Sequence, residues 1–248
     1  MSSNELIKSK IEEYFEQTVD WRTYLHENPE VSDKEYETAK YLKNECEKLG
    51  LLVEDAANTT GFTALLDTGR PGKTLGIRTD IDALPIHESE YNKKFKKSVI
   101  SKNDGVSHAC GHDSHMATLL TTAKILTDLK DEIDGKIYFI FEEGEETGGG
   151  IEAMVEHLRD KGLDACYGNH QASFLEVGEI RVIKGPSHAG CAGVEFDVIG
   201  KGGHGSRPDL CINPLTATAN IITALTTAWV NQLDLNETVT FGLGSING

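Results

Sequence analysis

At ~150 residues per domain, a 248-residue chain holds one large domain or two modest ones, which excludes a peptide or a minimal module. An apolar content of 38% supports a packed core, and 26% charged residues without a low-complexity tract exclude a disordered chain. Lys and Arg number 24 against 40 Asp and Glu, so the net charge of −16 repels nucleic acid and anionic membranes and leaves small molecules or peptides as the expected partners.

The N-terminal run carries charges every few residues and lacks a signal-type apolar core. No segment approaches the ~20 apolar residues of a membrane span, so the expected location is cytoplasmic and the expected partners exclude a membrane. Ile7, Ile11, Phe15, Trp21 and Leu25 fall at near-helical spacing and predict a helix over 5–27, ended by Asn28-Pro29. Ser32 to Glu35 has the pattern of a capping box, and Tyr36, Leu42, Cys46 and Leu49 then mark one face of a helix over 33–49 that Gly50 closes. Apolar runs at 51–54, 60–67 and 74–82 predict strands, with the Thr68–Lys73 turn joining the last two as a hairpin. A polar loop over 83–107 precedes a helix over 113–130, a buried strand over 136–141 and a helix over 151–160. Strands near 164–168 and 177–183 complete an α/β pattern with a mixed sheet. A second unit is expected from near Gly190: a strand over 193–199, a glycine-rich loop at 200–203, a helix opened by Asn213-Pro214 and a strand over 238–243.

Four segments carry residues suited to chemistry. His108-Ala109-Cys110-Gly111-His112-Asp113-Ser114-His115 gathers thiol and imidazole groups before an apolar helix, and Gly111 permits the turn that aims Cys110 and His112 at one centre. His108 and His115 are expected to be supporting or surface residues rather than ligands. Glu142-Glu143-Gly144-Glu145-Glu146 leaves a buried strand, where so many carboxylates repel one another unless a cation is present. His170 ends the next predicted strand. Gly200 to Pro208 is a flexible loop presenting His204 and Arg207, without the spacing of a nucleotide fingerprint. The five cysteines, odd in number and widely spread, do not form a disulfide framework.

Together with Trp21 to Glu30 and Arg78 to Ile86, these segments resemble, in order, the M20 family of metallopeptidases and amidohydrolases, in the aminoacylase-like branch with hippurate hydrolase and auxin-conjugate hydrolases. The wider family has a histidine at the place of Arg78 and a bridging aspartate at that of Cys110, so the forms present here point to that branch. The resemblance implies an α/β fold: a mixed-sheet catalytic domain over 1–188 with an inserted smaller α+β lid or dimerisation domain over 189–248, both C-terminally incomplete. It implies two divalent ions (zinc, manganese or cobalt), bridged by the Cys110 thiolate and held further by His112, Glu146 and His170, with Glu145 as general base. His204 would hold the substrate or its oxyanion. Arg207, by its charge, would pair with a substrate carboxylate.

The implied activity is metal-dependent hydrolysis of N-acyl amino acids or small peptide-like conjugates by a homodimer. The other reading is a catalytically inactive metal-binding or dimerising fragment of such an enzyme. Two departures stand out: Glu142-Glu143-Gly144 replaces Gln-Pro-Ala, adding negative charge expected to tighten metal binding or disfavour acidic substrates. The family's return segment, with a last histidine ligand, is expected beyond Gly248.

Overall fold

The computed structural model describes residues 3–185, 190, 192–234 and 239–247. The chain divides into two compact units, Met1–Phe174 and Leu175–Gly248, and the expected division at 188/189 falls outside the described residues.

In the first unit, helices α1 (Ser3–Glu27) and α2 (Tyr36–Lys48) precede strands β1 (Leu52–Asp55), β2 (Phe62–Asp67) and β3 (Thr74–Asp80). A two-stranded ribbon of β4 (Tyr91–Asn92) and β5 (Phe95–Lys96) lies in the polar loop. Then follow α3 (His112–Asp128), β6 (Lys136–Glu142), α4 (Ile151–Leu158) and β7 (Ala165–Gly168). The main sheet has the order β1-β2-β6-β3-β7 and is mixed: β1–β2 and β2–β6 run antiparallel, whereas β6–β3 and β3–β7 run parallel.

The expected β2–β3 hairpin does not form, because β6 lies between them. Ile137 to Phe141 are all buried, and a strand apolar on both faces belongs in the middle of a covered sheet. The Thr68–Lys73 turn therefore wraps around the start of β6. Thr68 N–H donates to Gly135 O at 3.2 Å, and Gly135 (φ 88°) comes so close to Lys73 that a Cβ there would lie 2.1 Å from its carbonyl oxygen.

One face of the sheet packs Phe62, Ala64, Phe139 and Phe141 against Trp21 and Leu25 of α1, Leu42 and Cys46 of α2, and Met116, Leu120 and Ala123 of α3. Phe62 and Phe141, directly paired across the ladder, stack at 4.4 Å. The other face covers Tyr138 and Ile140 with Met154 of α4. The apolar spacing at the start of α1 does not mark a buried face: Ile7, Ile11 and Phe15 are exposed, and burial begins at Trp21.

The capping box is also replaced. Ser32 Oγ donates to Asp82 Oδ2 at 2.7 Å, while the buried Glu35 carboxylate accepts from Asp33 N–H, Gly144 N–H and Thr60 Oγ1. Glu35 thus ties the start of α2 to the loop after β6.

The second unit holds α5 (Pro214–Gln232), capped by Asn213 Oδ1 as expected from Asn213-Pro214, with Leu215 and Thr216 N–H donating to it. The strands expected over 177–183 and 193–199 do not form, and residues 239–243 are not strand either. Thr238 lies outside the described residues. Alternating apolar residues make a strand only where a neighbour supplies the ladder, and among the described residues this unit offers one isolated bridge, Lys201 to Ile212. Val182, Val194 and Ile199 remain exposed.

Candidate metal centre

Three parallel strands, β6, β3 and β7, end on the same edge of the sheet, where open α/β folds form their crevice. Arg78 and Asp80 close β3, Glu142 closes β6 ahead of Glu145 and Glu146, and His170 lies two residues beyond Gly168, the end of β7. Cys110 and His112 flank Gly111, whose φ of 86° bends the chain into the first turn of α3. Chain segments distant in sequence thereby meet at one point.

Donor atoms of Cys110, His112 and His170 lie within 4.8 Å of one another, as do those of His112, Glu145 and Glu146. Cys110 Sγ is 3.5 Å from His170 Nε2, and His112 Nε2 is 3.8 Å from Glu146 Oε1 and 3.9 Å from Glu145 Oε2. The last two separations exceed a hydrogen bond but suit groups that each approach one ion at ~2.0–2.3 Å. His112 Nε2 and Glu146 Oε1 are moreover buried without a hydrogen-bond partner among the described residues, a costly state that a cation relieves. The donor set fits divalent metal.

The hydrogen bonds fix the ring tautomers. His112 Nδ1 faces Asp82 O at 2.9 Å and Asp82 Oδ1 at 3.1 Å, both acceptors, so Nδ1 carries the proton and Nε2 presents its lone pair to the centre. His170 Nδ1 faces Gln171 O at 2.6 Å, which assigns its proton in the same way. Asp82 also accepts from Glu146 N–H at 3.0 Å, so one carboxylate orients two of the expected ligands.

The electrostatics are those of a crowded anionic site. Burial, then the Glu146, Glu145 and Asp80 carboxylates, push the Cys110 thiol up to about 12. Burial chiefly raises Glu145, with Glu146 and Asp80 adding to it and His112 and Arg78 opposing. Burial by itself would lower His112, but the Asp82 hydrogen bond and the charges of Asp80, Asp82 and Glu146 raise it. At Asp80, burial favours the neutral acid, yet the hydrogen bond from His115 and the His112 and Arg78 charges hold it at about 2.

Sequence reasoning left several supports unassigned. Arg78 bridges Glu142 Oε2 and Asp80 Oδ2, each at 2.8 Å. Asp113 accepts from His26 Nδ1 at 2.7 Å and pairs with Arg22 Nε at 2.9 Å, fastening the first turn of α3 to α1. The alternation Asp80-Ile81-Asp82 at a strand end was the available signal for the two aspartates. Of the two additional glutamates, Glu142 pairs with Arg78, which also holds Asp80, and Glu143 is buried beside Gly61 and Gly150, its carboxyl raised by burial.

His204 and Arg207 belong to the second unit and are exposed. Ser206 N–H donates to His204 Nδ1 at 3.3 Å, and Asp209 holds the Arg207 guanidinium at 2.7 Å.

A model of peptidase family M20/M25/M40 matches residues 76–242. An N-acyl-L-amino acid amidohydrolase of Geobacillus stearothermophilus is 40% identical over 90% of this chain and 59% of its own length. An IAA-amino acid hydrolase of Arabidopsis thaliana is 35% identical over 90% of this chain and 50% of its own. A Bacillus subtilis crystal structure described as a dinuclear metal-binding peptidase of the M20 family superposes with a TM-score of 0.64 at 35% identity, covering 71% of this chain and 48% of that one. The chain thus spans about half to three fifths of the length of these relatives. With the family model matching residues 76–242 and the amidohydrolase relatives matching 90% of the sequence, this chain belongs to peptidase family M20/M25/M40, in its aminoacylase-like branch.

Proposed function

We propose that the chain is part of a metal-dependent amidohydrolase that cleaves the amide bond of N-acyl amino acids or small peptide-like conjugates. The observation that carries this reading is the convergence of two donor groups that share His112, one with Cys110 and His170 and one with Glu145 and Glu146, where His112 Nε2 and Glu146 Oε1, 3.8 Å apart, are buried without a hydrogen-bond partner among the described residues. Those four residues would hold two divalent ions, zinc, manganese or cobalt, with the Cys110 thiolate between them. When bound, such ions lower the pKa of water and polarise an amide carbonyl.

Glu145 is the general base. It is the more exposed of the glutamate pair, and its raised carboxyl suits a group that takes a proton from the attacking water and returns it to the departing amine. His204 holds the substrate or its developing oxyanion from a lid and dimerisation domain over 189–248, with the complete enzyme acting as a cytoplasmic homodimer. Arg207 exchanges Asp209 for a substrate carboxylate. The names of the amidohydrolase relatives support the substrate class.

Glu145→Gln and Glu146→Gln separate the roles. The first should keep bound metal and lose turnover of N-acyl amino acids by ~10²-fold or more, as for a missing general base, whereas the second should first lose metal. Both variants retaining metal and activity would overturn the assignment.

A further inference from the structure

Asp80, His112 and His115 also bring donor atoms within 4.8 Å, and all three residues are buried, so His115 is a formal candidate ligand. Its hydrogen bonds give it another task. Gln171 donates its backbone N–H to His115 Nε2 at 2.8 Å. A backbone amide can only donate, so Nε2 is the bare nitrogen of a neutral ring. The proton then sits on Nδ1, which donates to Asp80 Oδ1 at 2.7 Å. Both ring nitrogens are engaged, and neither has a lone pair left for a metal. Asp80 is itself held from the far side, where its Oδ2 accepts from Arg78 Nη1 at 2.8 Å.

The tether acts on a segment that needs one. Pairing between β3 and β7 ends at Arg78 and Gly168, and residues 168–171 beyond it are exposed, whereas His115 and Asp80 are almost wholly buried. His170 immediately precedes the tethered amide, its ring 4.7 Å from that of His115 and its Nδ1 bonded to Gln171 O at 2.6 Å. Fixing Gln171 therefore fixes the residue whose carbonyl accepts from His170 Nδ1 and so orients His170 toward Cys110.

We infer that His115 is a positioning residue, a neutral imidazole strut between Asp80 and the Gln171 amide that holds His170 in register with Cys110 and His112. The consequence for metal rests on the proposed function above; the strut itself does not.

The test uses the 248-residue chain with ¹⁵N-labelled histidine, metal-free and zinc-loaded, and two variants. Long-range ¹H–¹⁵N spectra should show His115 protonated on Nδ1 and bare on Nε2, and zinc should shift the Nε2 signals of His112 and His170 but not that of His115. His115→Gln places a carbonyl oxygen at about the reach of Nε2 and keeps an acceptor for Gln171. His115→Asn reaches only toward Asp80. The asparagine variant should bind zinc ~10–100-fold more weakly in chelator competition, as expected for lost outer support, and exchange the Gln171 amide faster. The glutamine variant should recover most of both. A zinc-shifted or protonated His115 Nε2 would overturn the proposal, as would an asparagine variant with unaltered zinc affinity and exchange. If that variant does not fold, the tautomer in the unaltered chain still decides. An unaltered chain that binds no zinc removes the metal-centre reading, while the tautomer and the Gln171 exchange continue to judge the strut.

Discussion

Replacing Asp82 by asparagine keeps the volume of the side chain and changes one oxygen into an NH₂ group. Asp82 is fully buried, and its carboxylate faces three groups: Ser32 Oγ at 2.7 Å, Glu146 N–H at 3.0 Å and His112 Nδ1–H at 3.1 Å. The Ser32 hydroxyl can rotate and accept, but the other two only donate. An amide NH₂ on the Oδ2 side opposes Glu146 N–H; on the Oδ1 side it opposes His112 Nδ1–H and favours the tautomer that puts a proton on Nε2. Either orientation injures an expected ligand. Losing one charge-assisted hydrogen bond costs ~1.5–3 kcal/mol, and the opposed donor brings the total to about 2–4 kcal/mol. If about 2 kcal/mol of that falls on the metal-competent arrangement, zinc binding weakens about 30-fold at 1.4 kcal/mol per decade.

Urea unfolding of the metal-free chain and chelator competition for zinc measure the two effects. Burial would raise the Asp82 carboxyl, but the His112, Glu146 and Ser32 hydrogen bonds lower it below the ordinary aspartate range. Its stabilisation is therefore present above that range and lost as pH falls through the depressed value, so the gap between the two chains should be full at neutral pH and close in acid. Asp82→Asn with unaltered unfolding and zinc affinity within threefold of the unaltered chain would falsify this reasoning.

Cys110→Ser should lose zinc while unfolding near the unaltered midpoint, and Cys46→Ser should do the reverse. Cys46 is fully buried among apolar side chains, where a hydroxyl costs ~1–3 kcal/mol; metal content and urea midpoints distinguish the pair. Glu143→Gln should stabilise the chain at pH 8 but not at pH 4. Burial raises the folded carboxyl, so its favourable proton binding is complete below the ordinary glutamate pKa and lost as pH rises through the folded value; equal urea midpoints at pH 8 would refute this. His204→Ala should leave zinc content unchanged and lower turnover of the complete enzyme by ~10²-fold if it steadies the oxyanion; an unchanged rate would remove it from the substrate region.

The sequence by itself determined the helices and main-sheet strands of the first unit to within a few residues, and α5 of the second, because apolar periodicity and the Asn28-Pro29, Gly50 and Asn213-Pro214 signals are local; the short β4–β5 ribbon lies in what it marks as loop. It also pointed, through the family resemblance of the segments around Cys110, Glu145-Glu146 and His170, to residues whose donor atoms approach one another in the candidate centre. Tertiary structure decided what depends on partners distant in sequence. β6 entered between β2 and β3 because it is apolar on both faces, a property that shows its burial but not its neighbours. Ser32 and Glu35 left the helix cap for Asp82 and Gly144 because buried acceptors and loop amides elsewhere needed them. The strands expected over 177–183 and 193–199 carry the right alternation, but a ladder needs a second chain segment, and no local pattern supplies one. His115 and His112 lie three residues apart with the same side chain. Which ring presents a lone pair and which is spent on Asp80 and Gln171 was decided only when β3, β7 and α3 came together, because a histidine's role is set by the groups its two nitrogens meet.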